Sequence, residues 1–194
     1  MHINSSLRSF AHNHDELPAF HVGYIVLVFI IVGLLNAGVF ALLIIAHMAL
    51  DTVKYRERHG FGWKLTVEGI LRENLFDCAL LAASLLFSVY LHPSVILLGL
   101  SGIARTELTL VRAAGTILPR MEIFEHFLWI LLHMRTYFAH PHLRLQRGLG
   151  IAEMVSLVVL LMTVPLLLLA PFILHMESST VKEVLLLEMI PWKI

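Results

Sequence analysis

Residues 22–50 read VGYIVLVFIIVGLLNAGVFALLIIAHMAL, without a single aspartate, glutamate, lysine or arginine. Crossing the hydrocarbon core of a bilayer takes about 20 predominantly apolar residues, each rising about 1.5 Å along a helix. The stretch exceeds that length. It predicts one helix that spans, tilts and still projects a turn or two into the headgroups. The rest of the chain agrees with it. Of 194 residues, 58% are hydrophobic and 14% charged, whereas soluble domains carry about 45–50% and about 25%. A chain of this size cannot hide so much apolar surface in one soluble core, so lipid is its expected solvent.

Charge excludes other partners. Lysine plus arginine and aspartate plus glutamate each number 14, so no basic field points to nucleic acid. Cys78 stands alone inside an apolar run, which provides neither a disulfide framework nor a zinc-binding cysteine pair. The polar stretch 1–21 holds His2, His12, His14 and His21. It lacks the basic start, short apolar run and small-residue cleavage site of a secretory signal, so the first apolar run is expected to be retained.

Two more runs match the first. Val67 to Leu91 is apolar after its first turns and ends at His92-Pro93, because proline disfavours helix at the residue before it. Leu149 to Leu174 is apolar apart from Glu153, and its Pro165 and Pro171 are kinks that membrane helices tolerate. Two segments mix apolar and ionisable residues, 94–118 and 120–138. The first is expected to be a short spanner with a wet end or a re-entrant or interfacial helix, the second to pack inside the bundle or lie at an interface. The expected architecture is an all-α, polytopic transmembrane helical bundle with three spans and five membrane-associated helices. Its parts are a polar N-terminal tail (1–21), a transmembrane helical domain (22–175) and a C-terminal tail (176–194) with a short amphipathic helix over 181–190. The polar loop 52–66 carries Lys54, Arg56, Arg58 and Lys64, which places it in the cytoplasm by the positive-inside rule.

A tandem repeat is suggested by two alignments. Arg72, Phe76, Asp77 and His92-Pro93 parallel Arg120, Phe124, Glu125 and His140-Pro141 at a constant offset. Upstream, IAHMALDTVK (45–54) parallels IARTELTLVR (103–112). In transporters, such repeats put binding sites at the repeat interface. Chance resemblance between apolar helices is the competing explanation.

Three helices each carry ionisable residues four apart: His47 with Asp51, Glu73 with Asp77, and Glu122 with His126. Residues at i and i+4 share a helix face. Ionisable groups at membrane depth are costly and point to function. Histidines and carboxylates converging from several helices are how bundles build metal centres, and imidazole with carboxylate suits zinc or iron. These six residues are therefore the candidate ligands of a transition metal. A bis-histidine haem is the other cofactor considered, pairing His47 with His126 or His133. The bland alternative is an interfacial ion-pair network in which Lys54, Arg56, Arg72 and Arg120 neutralise the carboxylates. No nucleophile elbow, phosphate loop or dinucleotide glycine pattern appears.

Weighing these, the expected function is a non-enzymatic structural or accessory subunit of a membrane complex. Its partners would be the lipid bilayer and a second copy or a larger complex. The small-residue patch Gly33, Ala37 and Gly38 would be its contact face. A proton or metal-ion carrier using the six ionisable residues is the first alternative, and a membrane-embedded metal- or haem-binding enzyme the second. Geometry separates the three. Both alternatives need His47, Asp51, Asp77 and His126 to converge, whereas a scaffold leaves them on different faces or bound to arginines.

Overall fold

The computed structural model describes residues 18–92, 102–139 and 148–191. Among them the fold is all-α, with seven helices: α1 (Pro18–Leu34), α2 (Ala37–Val53), α3 (Trp63–Tyr90), α4 (Gly102–Leu132), α5 (Met134–Ala139), α6 (Ile151–Ile173) and α7 (Ser178–Met189). A π-helical turn, Lys54–Arg58, extends α2. The central element is α3, which packs against α2, α4, α6 and α7, while α1 lies against α4. One core joins Val28 and Val32 of α1 to Phe40 and Ile44 of α2 and Ile123 of α4. A second joins Val89 of α3, Ala170 of α6, and Val181 and Val184 of α7.

The single helix expected over 22–50 is two helices. Asn36 breaks it. Its backbone is extended, with φ −87° and ψ 169°, and its side chain accepts a hydrogen bond from the Val39 amide, capping α2. Asparagine is among the best residues for that position, since it satisfies an amide left orphaned by the helix start. The other half of the same side chain donates to the carbonyls of Leu187 (3.2 Å) and Ile190 (2.5 Å). The break is thus tied to the end of α7. Gly38 completes the joint, because a methyl group there would collide with the Met189 carbonyl.

The segments 94–118 and 120–138 also divide differently. From residue 102 onward they form one long helix, α4, which runs straight through Pro119, followed by the short α5; residues 93–101 and 140–147 lie outside the described residues. This removes the structural basis for a tandem two-helix repeat. The stretches 45–54 and 72–77 lie on two helices separated by a loop, whereas 103–112 and 120–125 lie on one. The second stretch has no counterpart of the loop HGFG, residues 59–62.

The polar loop 52–66 shortens too. Helical structure persists to Arg58 and resumes at Trp63, and Lys54 and Tyr55 are fully buried rather than solvated. Arg56 lies over the exposed Trp63 ring at 4.5 Å. Over 181–190 the expected C-terminal helix is present as α7, but its Val181 and Val184 are buried against the bundle.

Among the described residues, two helices are long and apolar enough to cross a membrane, Ala37–Arg58 and Ile151–Ile173. Of these α6 is the more exposed, presenting Leu161, Met162, Val164, Leu168 and Phe172 outward. The third run expected to span lies in α3, whose first half carries Glu68, Arg72, Glu73 and Asp77.

Candidate metal centre

Helix periodicity assembles the site. Positions 47, 51, 54 and 55 recur at i, i+4, i+7 and i+8 and so line one face of α2 and its π turn. His47, Asp51, Lys54 and Tyr55 are all buried there. Positions 73, 74 and 77 do the same on α3, presenting Glu73, Asn74 and Asp77. From α4 comes His126, and from α5 Tyr137. Gly69 lies one turn before Glu73, and a methyl there would strike the Tyr55 ring. The missing side chain lets Tyr55 reach Glu73.

His47 stands at the centre, with a different partner on each nitrogen. Its Nε2 is 3.1 Å from the Tyr137 hydroxyl and 3.5 Å from Asp51 Oδ2. Its Nδ1 is 3.6 Å from Asp77 Oδ2. On the Nε2 side every carboxylate oxygen is engaged. Asp51 accepts hydrogen bonds from Tyr137 and, at 2.6 Å, from Asn74 Nδ2. Glu73 receives Lys54 Nζ on both oxygens, at 2.8 and 2.9 Å, and Tyr55 at 2.8 Å. Lys54 Nζ also lies over the Tyr137 ring, 4.0 Å from its centre. A buried ammonium fills this half of the cluster.

The Nδ1 side is open. Asp77 is 2% exposed, yet its Oδ1 has no hydrogen-bond partner. Its Oδ2 lies 2.9 Å from His126 Nδ1. The His47 and His126 rings meet edge-on with centroids 5.0 Å apart. The hydrogen-bond direction on the other side matters here. With Tyr137 donating to Asp51, its oxygen is free to accept the His47 Nε2 proton. The neutral imidazole then turns the Nδ1 lone pair toward Asp77. A lone pair, a second imidazole and a buried carboxylate oxygen without a donor form a site that attracts a cation, since buried polar atoms are otherwise paired.

The donor set fits a divalent transition metal. In a tetrahedral zinc site, bonds of about 2.0–2.2 Å separate neighbouring ligand atoms by about 3.4 Å. The 3.6 Å between His47 Nδ1 and Asp77 Oδ2 is close to that. The 2.9 Å contact of His126 needs a small opening. His47, Asp77 and His126 form one group whose ligand atoms lie within 4.8 Å of one another; His47, Asp51 and Glu73 form another. Lys54 already neutralises the second group. Haem does not fit: both imidazoles turn Nδ1 to the same Asp77 oxygen, and their rings meet edge-on with centroids 5.0 Å apart, too close to admit a porphyrin between them. His133 is exposed and its Nδ1 lies 3.1 Å from the Trp129 carbonyl, so it takes no part.

Five of the six candidate ligands converge: His47, Asp51, Glu73, Asp77 and His126. The sixth, Glu122, is exposed and lines an open cleft with Glu125, His126, Leu128, Trp129 and Leu132. The cations expected to neutralise the carboxylates divide sharply. Lys54 does so. Arg56 donates to the Phe61 carbonyl, and Arg72 pairs with Glu68 at 3.3 Å. Arg120 is buried 2.6 Å from Glu188, where it also bonds Ser84 and the Leu35 carbonyl. Sequence reasoning missed Asn74 and Tyr55. Tyr55 follows Asp51 by four residues and Asn74 precedes Asp77 by three, so same-face spacing would have found both had neutral residues been counted.

The patch Gly33, Ala37 and Gly38 is occupied from within the chain. Ala37 is fully buried, Gly38 lies against the Met189 carbonyl, and Gly33 faces Ile117 of α4. Comparison with protein-family models, curated proteins and solved structures finds no match for the chain.

Proposed function

We propose that this chain is a membrane-embedded protein that binds a divalent transition-metal ion at His47, Asp77 and His126. Two helices of spanning length and composition support the membrane setting. The observation that carries the metal reading is the buried Asp77 carboxylate, with one oxygen unpartnered and the other facing two imidazoles at 2.9 and 3.6 Å. A purely structural network would instead close such a group with an arginine, and Arg72 and Arg120 are both engaged elsewhere. Three protein ligands leave a coordination position open, which is the pattern of metal sites that exchange or act rather than merely hold a fold together. Such a site suits a metal-handling component of a larger membrane complex, or a carrier of such ions.

Metal analysis of the protein purified in detergent, after loading with Zn²⁺ or Co²⁺ and desalting, tests the reading. One equivalent is expected. His126→Ala and Asp77→Asn should each lower the affinity by at least about a hundredfold, more than the loss typical of residues that only support a ligand. No retained metal, with proton flux in liposomes that disappears in Asp77→Asn, would overturn the metal reading and favour a proton path.

A further inference from the structure

The three proposed ligands are not equally accessible. The side chains of His47 and Asp77 are 3% exposed, that of His126 37%. His126 also lines the open cleft on the surface of α4, of about 420 Å³. Within that cleft lie Glu122 and Glu125, four and one residues before His126. Neither carboxylate takes part in an ion pair among the described residues, in contrast to Glu68, Glu73 and Glu188. Behind His126 waits the buried Asp77 oxygen without a donor.

We infer that this cleft is the vestibule through which the metal cation reaches its site, with Glu122 and Glu125 collecting it and His126 receiving it. This rests on the metal reading above. The physical basis is electrostatic steering: carboxylates beside a binding site attract counter-ions from solution and raise association rates, most strongly at low ionic strength. Here the two carboxylates share the outer face of α4 with Trp129 and Leu132, which are 50% and 79% exposed. Inside, the cation exchanges the two cleft carboxylates for the site's ligands, first the His126 imidazole, then Asp77 and His47. Glu122 and Glu125 therefore govern the rate of loading and not the final coordination.

Stopped-flow mixing of the full-length protein in detergent with Co²⁺, followed by tryptophan quenching, tests this against Glu122→Gln/Glu125→Gln. Equilibrium dialysis and the Co²⁺ absorption spectrum are recorded alongside. The expected result is one bound equivalent with an unchanged spectrum, and association about tenfold slower than wild type at low salt. The difference should shrink as ionic strength rises and screening shortens the reach of the charges. Equal association rates at low salt, with wild type binding normally, would overturn the vestibule and leave the metal centre intact. A changed spectrum or lost stoichiometry in the variant would also overturn it, by making the glutamates ligands. Absence of Co²⁺ binding by the wild type would remove the metal centre itself, and the vestibule with it. Glu125→Gln alone gives the same discrimination with a smaller change to the helix.

Discussion

At the scale of single residues, His47 is held by what it does not coordinate. The Tyr137 hydroxyl at 3.1 Å fixes the ring so that Nδ1 faces Asp77. Partners of this kind orient metal-binding histidines, and losing them costs about 10- to 100-fold in metal affinity. Tyr137→Phe is therefore expected to weaken Zn²⁺ binding by about that factor while leaving the stoichiometry at one, measured by competition with a chromophoric chelator. Lys54 makes the opposite kind of contribution. Its ammonium is fully buried and holds both oxygens of Glu73. Breaking a buried pair by removing one partner costs about 3–5 kcal/mol, because the remaining charge is left uncompensated. Lys54→Met should lower the melting temperature sharply in detergent, and Lys54→Met/Glu73→Gln should recover most of the loss. If the double variant is no more stable than the single one, Lys54 is not the internal counter-ion described here.

At the scale of helices, the decisive features are a break and a continuation. Asn36 ends one helix, begins the next and holds the carbonyl end of α7. Close by, Arg120 of α4 reaches Glu188 of α7 at 2.6 Å, and Ser88 of α3 bonds the same glutamate at 3.1 Å. The C-terminal helix is thus fastened to α2, α3 and α4 by polar contacts as well as by Val181 and Val184. Gly38→Val puts a side chain where the Met189 carbonyl lies. Overpacking of this kind costs about 1–3 kcal/mol, so thermal unfolding should occur at lower temperature and protease access to residues 178–189 should rise. An unchanged melting temperature and protease pattern would mean that α7 does not dock as described.

The same features mark where reading the sequence stops. An asparagine amid apolar residues reads as one polar group within a span, because the hydropathy of 22–50 is unbroken. Its capping role appears only once α7 supplies the second set of bonds from the far end of the chain. Pro119 shows the reverse. Proline normally ends a helix, and here it is carried within α4. By contrast, i, i+4 spacing was enough to find most of the site, because helical periodicity alone puts His47 with Asp51 and Glu73 with Asp77. Which helix faces met was not legible locally. Glu122 obeys the same spacing but belongs to the outer face of α4, and the buried status of Lys54 depends on Glu73 arriving from α3.

At the scale of the molecule, a buried charge cluster lies beside helices whose composition suits a bilayer. In the proposed membrane setting, the positive-inside rule predicts that the short turn 59–62 between α2 and α3 faces the cytoplasm. A cysteine at the exposed Glu57, introduced in a Cys78→Ala background, should then react with a membrane-impermeant maleimide in inverted vesicles and not in intact cells. Labelling in intact cells alone would reverse the topology. The central claim is the coordination itself. X-ray absorption at the zinc edge of the loaded protein tests it most directly, because Cys78 adjoins Asp77 in sequence and sulfur scattering is unmistakable beside nitrogen and oxygen. The account predicts a shell of nitrogen and oxygen alone at about 2.0–2.2 Å, with two imidazoles, falling to one in His126→Ala. A zinc–sulfur shell at about 2.3 Å, or two imidazoles retained in His126→Ala, would contradict it.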